Sequence, residues 1–230
     1  MTDLAEVSTY FTLLPQHYYT SQDILDREVE LVFRRQWQYA GHISQIRQPG
    51  DFFTLDMLGE SVIVVRGADD SVNALLNVCR HRGYPVCTEA RGSVKRFVCG
   101  YHKWAYHLNG QLAKAPTLID GTDIDYQDWG LRSVKVELWH GFIFICLGDP
   151  LVASVATEMD ALGIDLARLE PERMKMIKEL YYEVECNWKV LLENAVECYH
   201  CQPVHAELCA TMDMQYEFRP REESSNAEFV

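Results

Sequence analysis

The sequence is poor in long apolar runs, in positive charge and in regularly spaced cysteines, and each shortage excludes something. No window approaches the roughly 18 uninterrupted apolar residues that a membrane-crossing helix needs, and the start MTDLAEVSTYFTLLPQHYY lacks the basic opening and apolar stretch of a signal peptide. The expected location is therefore cytoplasmic, with no membrane partner. Lys and Arg number 21 against 34 Asp and Glu, for a net charge of -13. Nucleic acid is disfavoured as a partner by that sign, as is an anionic membrane surface. No internal repeat or low-complexity tract is present, although 219–228 is strongly polar. The eight cysteines are irregularly spaced and several sit beside histidines. In a reducing compartment that pattern points to metal binding for some and ordinary burial for the rest.

What remains is a chain with 48% hydrophobic residues, enough for a buried core. Apolar residues Ile24, Leu25, Val29, Val32, Phe33 and Trp37 recur at three- and four-residue intervals, predicting one amphipathic helix over 21–39, with Thr20 and Asp23 placed as a capping box. Short β-rich runs follow at 51–55, 61–66, 72–78, 96–99, 104–108, 133–138 and 142–147, with turn signals at Gly59-Glu60, Ala68-Asp69-Asp70 and Asn109-Gly110. Past Asp149-Pro150 the pattern predicts a helix over 152–169 stopped by Pro171, a weakly alternating strand over 175–185, and a helix over 187–200 capped by Asn187. Three parts are expected: an N-terminal arm and helix at 1–40, an all-β domain at 41–150, and the opening of a second domain at 151–230.

Two constellations carry chemistry. The first is Cys79-Arg80-His81, then 17 intervening residues, then Cys99-Gly100-Tyr101-His102. Each half offers one thiolate and one imidazole. Two such halves on facing loops can hold a two-iron, two-sulfide cluster with both sulfurs on one iron and both nitrogens on the other. The rival is a zinc site of two cysteines and two histidines. Zinc knuckles usually separate their paired ligands by two to four residues, whereas a single residue separates Cys79 from His81. The second constellation runs from Glu193 to His205. At helical spacing Glu193, Glu197 and His200 share one face, and Trp188, Leu191, Ala195 and Tyr199 line another. Pro203 is expected to end that helix, so that His205 returns on the following bend toward His200. Two histidines alone fit an ordinary surface or core position as well as a metal site.

Both loops, NVCRHRGYPV and CGYHKWAYHLNGQL, resemble the Rieske domain of the Rieske non-haem iron oxygenases, including Arg82-Gly83 and the aromatics Tyr101, Trp104 and Tyr106. The stretch 193–205, preceded by Cys186-Asn187-Trp188-Lys189, resembles the iron-binding segment of the same family's catalytic alpha subunit. The resemblance implies an α+β fold: an all-β Rieske 2Fe-2S domain with an N-terminal helix, then the beginning of a helix-grip-like catalytic domain. It implies Cys79, His81, Cys99 and His102 as cluster ligands, and His200 and His205 as ligands to a mononuclear Fe(II). Glu197 stands where the family has a bridging carboxylate, usually Asp, that carries electron transfer to a cluster histidine, here His102 of a neighbouring subunit. A homotrimer is thereby expected. Arg80 departs from the Pro found in many members.

The family's third iron ligand is an Asp far downstream. Asp213, the sole Asp after His205, comes too early, so the third ligand is expected to lie outside this chain, as if the chain were cut C-terminally. Dioxygen as co-substrate and NAD(P)H oxidised by a separate flavin and iron-sulfur reductase are also implied. Within the family, Glu197-Cys198-Tyr199-His200-Cys201 resembles the branch that oxidises quaternary amines such as carnitine and glycine betaine, by monooxygenation or N-demethylation. The small-molecule substrate expected is therefore a betaine, which an aromatic cage would bind through cation-π attraction. The alternatives are an aromatic-ring hydroxylating oxygenase, a Rieske electron-transfer protein without catalysis, and a zinc-binding interaction domain.

Overall fold

The computed structural model describes residues 14–116, 124–163, 166–196 and 200–211, and divides the chain into two compact units. One spans Asp23–Leu180; the other combines Met1–Gln22 with Tyr181–Val230.

The larger unit is built from strands. Helix α1 (His17–Thr20) precedes it, and α2 (Gln22–Leu31) leads into β1 (Gln38–His42), β2 (Asp51–Met57), β3 (Glu60–Arg66), β4 (Val72–Leu76) and β5 (Arg91–Ser93). Then come β6 (Phe97–Val98), β7 (Ala105–Tyr106), β8 (Leu112–Lys114), β9 (Ser133–Trp139) and β10 (Phe142–Cys146). Seven strands form one antiparallel sheet in the order β1-β10-β9-β4-β3-β2-β5, and β6-β7-β8 form a second, smaller one.

Side chains alternate across a strand, and β3 shows why this sheet has two cores. Ile63 and Val65 join Phe52, Leu75, Phe97, Trp104 and Tyr106 on one face, while Val62 and Val64 join Phe53, Ala74, Ile143 and Ile145 on the other. All four β3 residues have no measurable exposure, so the strand reads as one continuous apolar run. The first core is the one that carries the two cysteine-histidine loops: it packs the small sheet against the large one and includes Cys79 and Cys99.

Several expected elements are revised. The helix over 21–39 stops at Leu31, because residues from Gln38 onward pair with β10, Gln38 opposite Ile145 and His42 opposite Phe142. Sheet pairing across the chain overrides the helical period there, and Trp37 is held instead by its indole N-H donating to the Val152 carbonyl at 3.1 Å. The helix over 152–169 shortens to α3 (Val155–Ala161), capped by the Ser154 hydroxyl, which accepts from the Thr157 amide at 3.1 Å, and followed by Gly163 at φ +68°. Pro171 begins a short 3-10 turn, Pro171–Arg173, rather than merely stopping a helix. Residues 175–185 form no strand: alternation specifies an extended chain, but a ladder needs a neighbour to take its N-H and C=O groups, and among the described residues none pairs there. The turn and strand readings between Asp51 and Cys146 hold closely, apart from the short β5 and β8, which are too brief to show a period.

In the smaller unit, α4 (Trp188–Val196), α5 (Cys201–Val204) and α6 (Ala206–Thr211) follow one another. Asn187 caps α4 as expected, its Oδ1 accepting from the Lys189 amide at 3.1 Å. Among the described residues no helix is long and apolar enough to cross a membrane.

Candidate redox and iron sites

The two loops of the first constellation fold alike. In the first, the Cys79 amide donates to the Tyr84 carbonyl at 2.9 Å and the Gly83 amide donates back to the Cys79 carbonyl at 2.9 Å. In the second, the Cys99 amide donates to the Trp104 carbonyl at 2.8 Å and the Lys103 amide to the Cys99 carbonyl at 3.0 Å. Both turns need a left-handed residue four positions after the cysteine. Gly83 takes φ +71° without strain, and Lys103 takes φ +60°. Each loop is thus a knuckle that fixes its cysteine at the base and its histidine near the tip.

The result is a polarised site. Cys79 and Cys99 are 3% and 1% exposed, while His81 and His102 are half-buried with ring centroids 4.5 Å apart. Trp104, 1% exposed, stacks on His81 at 5.0 Å between centroids and 7° between planes. Burial, then the neighbouring Cys99 sulfur, pushes the Cys79 thiol up from its ordinary range, although the Tyr106 hydroxyl acts against this. Burial, and then the charges of His102 and Arg82, push His81 down, favouring the neutral imidazole that ligates metal.

These residues fit a 2Fe-2S cluster. The His81 Nδ1 atom is buried with no hydrogen-bond partner among the described residues, and a metal bond would satisfy it. A zinc ion would need all four ligands around one point, whereas a two-iron cluster asks each iron for only two. Two sulfurs inside and two imidazoles outside match the second requirement.

Two residues of the quoted loops have supporting roles that their sequence context does not announce. Asn77, 4% exposed, staples the first loop: its Oδ1 accepts from the Val86 and Cys87 amides at 2.9 and 2.8 Å, and its Nδ2 donates to the Cys87 carbonyl at 2.7 Å. Nothing in the spacing marks an asparagine for that task. Asn77→Ala leaves two buried amides and a carbonyl unsatisfied, so a loss of about 2–4 kcal/mol of stability is expected, measurable as a lowered urea midpoint at unchanged slope. Tyr106, fully buried, places its hydroxyl 3.2 Å from the Cys79 sulfur. The Arg80 amide donates to the same oxygen at 3.1 Å, which leaves the hydroxyl proton free to point at the sulfur. Hydrogen bonds to cluster sulfurs raise the reduction potential, so Tyr106→Phe is expected to lower it by about 30–60 mV, the span of a roughly three- to tenfold shift for one electron. A redox titration followed by EPR reads this directly.

Cys87 is buried and unpaired, its thiol directed at Glu89, as an ordinary core thiol would be.

The second constellation is partly described. His200 stands immediately before α5 and His205 immediately after it, and their ring centroids lie 5.4 Å apart at 77°. Pro203 does not end a helix, contrary to expectation. It sits inside the first turn of the new helix α5, where its missing N-H is not needed. That single turn, with the His205 amide donating to the Cys201 carbonyl at 2.8 Å, is what brings the two imidazoles together. Glu197, Cys198 and Tyr199 lie outside the described residues, as does Asp213.

Two family models match in series: the Rieske 2Fe-2S domain over residues 36–124 and the ring hydroxylating alpha subunit, catalytic domain, over residues 171–229. The chain belongs to the Rieske oxygenase alpha subunits. Among curated relatives of this family it is 36% identical over 199 residues to the glycine betaine monooxygenase oxygenase subunit of Pseudomonas aeruginosa, covering 86% of this chain and 46% of that one. It is 34% identical over 195 residues to the carnitine monooxygenase oxygenase subunit of Escherichia coli, covering 84% and 52%. The chain thus spans about half the length of the curated relatives it matches. The quaternary ammonium Rieske monooxygenase CntA, solved with L-carnitine, superposes with a TM-score of 0.77 at 30% identity over 86% of this chain and 56% of that one. The naphthalene 1,2-dioxygenase from Rhodococcus, solved with indole, gives 0.69 at 29% identity over 82% and 44%. The α+β architecture expected from the sequence is that of these proteins.

Proposed function

We propose that the chain carries the redox half and two iron ligands of a Rieske monooxygenase that oxidises a quaternary amine, by monooxygenation or N-demethylation. The observation that carries the oxygenase reading is the pair of matching knuckles, with Cys79 and Cys99 inside and His81 and His102 at the rim, on a chain that also brings His200 and His205 together. The betaine substrate is supported by the glycine betaine and carnitine monooxygenase relatives and by the Glu197 to Cys201 motif.

When bound, the cluster supplies single electrons and the mononuclear iron supplies dioxygen activation. The chain's own residues do the rest. Cys79 and Cys99 would hold one iron as thiolates, with the Tyr106 hydroxyl placed to donate toward the Cys79 sulfur. His81 and His102 would hold the other iron, and as half-buried side chains they lie nearer to solvent than the two cysteines, so a redox partner would meet imidazole rather than sulfur. His200 and His205 would supply two neutral nitrogens to a mononuclear Fe(II), whose third ligand would be a carboxylate outside this chain. By the resemblance, Glu197 would accept a hydrogen bond from a ring N-H of His102 in a neighbouring copy, which would fix the tautomer of that imidazole. A homotrimer is the assembly that the family resemblance implies. The electron donor is a flavin and iron-sulfur reductase fed by NAD(P)H, and the compartment is the cytoplasm. The domain division at 1–40, 41–150 and 151–230 belongs to the same proposal.

The test is oxygen consumption by the complete enzyme, iron-loaded, with the third carboxylate ligand supplied and the cluster chemically or enzymatically reduced, comparing carnitine and glycine betaine with naphthalene. Substrate-dependent uptake with a betaine supports the reading. Uptake with naphthalene alone would move the assignment to ring hydroxylation, and uptake with none would leave an electron carrier.

A further inference from the structure

The knuckles carry a charge opposite to that of the chain as a whole. Residues 71–116 hold seven Lys and Arg and one acidic residue, Glu89, a local net of +6 in a chain of -13. Glu89 is engaged within its own loop, accepting from the Cys87 thiol at 3.5 Å and from the Thr88 amide at 3.3 Å. Three of the bases lie in the knuckles themselves. Arg82 and Lys103 are exposed and each directly follows a histidine of the rim, and Arg80 is half-buried between Cys79 and His81.

These charges stand without counter-ions. Among the described residues no carboxylate pairs with any of the three, and the buried Arg80 Nε atom has no hydrogen-bond partner there. Lys103 donates from its ammonium to the Gly100 carbonyl at 3.1 Å, which cancels no charge and holds the cation on its knuckle. The charge of Arg82 is felt at the His81 ring, where it acts against protonation. Two aromatic rings complete the face. Tyr101, 57% exposed, has its centroid 3.8 Å from that of His102, and Tyr84, 45% exposed, lies 5.7 Å from Tyr101. Exposed tyrosine and arginine together are the composition of a protein contact.

Screening decides which partner fits. At about 0.1 M salt a charge acts over about 10 Å. An extended polyanion spans more of the surface than that and meets the net -13, whereas a compact acidic patch meets only the knuckles.

We propose that the two knuckles form a basic docking face for the electron donor, which presents carboxylates around its own redox centre and is steered by charge to the rim of His81 and His102. The inference deepens the function proposed above and rests on Cys79, His81, Cys99 and His102 as cluster ligands.

The experiment uses the full chain with its cluster, reduced by dithionite and desalted without oxygen. Stopped-flow absorption follows its reoxidation by ferricyanide, a trivalent anion, and by hexaammineruthenium(III), a trivalent cation. Each reagent takes one electron from the reduced cluster and becomes ferrocyanide or hexaammineruthenium(II). Between about 0.1 and 1 M salt the ferricyanide rate constant is expected to fall about tenfold and the ruthenium one to rise, the lower end of the range for electrostatic steering. The net charge of -13 dictates the opposite trends, so a ferricyanide rate that rises with salt, or stays flat, would overturn the proposal without recourse to any variant. Arg82→Gln combined with Lys103→Gln should remove most of both trends at unchanged cluster content, and trends that persist in that variant would overturn it too. As a protein probe, a reduced plant-type ferredoxin of net negative charge has a potential below that of Rieske centres. It should reduce the unaltered chain about tenfold faster than the double variant at 0.1 M salt and equally at 1 M; equal rates at both would overturn the donor assignment. Rates that change with the concentration of the chain itself would give the face to a second copy, with the same consequence. An unaltered chain without the cluster's absorption would instead overturn the ligand assignment beneath, and is recognised before any mixing.

Discussion

Cys79→Ala is expected to abolish the cluster, seen as complete loss of the visible chromophore and of the EPR signal after reduction, whereas Cys87→Ala should retain both. The two cysteines make a stringent pair because they sit in the same core, 3% and 7% exposed, so the packing cost of truncation is comparable at each. Their surroundings differ. Cys79 is at the base of a knuckle, in contact with Cys99 and Tyr106, while Cys87 points at Glu89. A thiolate cannot be replaced by a methyl group in a cluster that takes only two sulfur ligands from the protein. His102→Ala should bleach the site as well, since the outer iron then keeps one nitrogen. Equal loss in the Cys79 and Cys87 variants would mean that core disruption, not ligation, removes the metal.

His200→Ala has the second large effect, and its value lies in what it spares. The variant is expected to keep the cluster's absorption and potential, to lose the additional Fe(II), and, in the complete enzyme with its third ligand, to reduce betaine oxidation to background. Removal of an outer partner of a metal ligand costs about 10–100-fold, so removal of the ligand itself should exceed the top of that range. His205→Ala should behave in the same way, because the two rings are held by one turn of helix. A His200 variant with undiminished Fe(II) and activity would show that the pair is an ordinary surface feature.

The cluster site was legible because its information is local. Each knuckle needs one thiolate, one imidazole and a residue able to take positive φ, all within six positions, and Cys79-Arg80-His81 with Gly83 spells that out. The β-strands between Asp51 and Cys146 were legible for a related reason, since alternation and turn residues act over short range. The signal failed wherever the deciding partner was distant. Trp37 fits a helical period, yet the residues after it belong to β1 because β10 lies more than a hundred positions away. Asn77 looks like any loop asparagine until the Val86 and Cys87 amides are seen to converge on it. Residues 175–185 carry a strand's alternation without a strand's partner. Pro203 was misjudged on a finer point: the rule that proline breaks a helix applies to interiors, and here a new helix begins two residues earlier. Tyr19 offers no sequence signal at all for its bond to Glu193.

The account stands on the claim that one chain holds two kinds of iron. Metal analysis combined with low-temperature EPR of the dithionite-reduced protein tests it most directly. The expected result is a Rieske signal from a cluster containing two irons per chain, with further iron that leaves on His200→Ala while the signal persists. Zinc in place of iron, with no signal after reduction, would contradict the account outright.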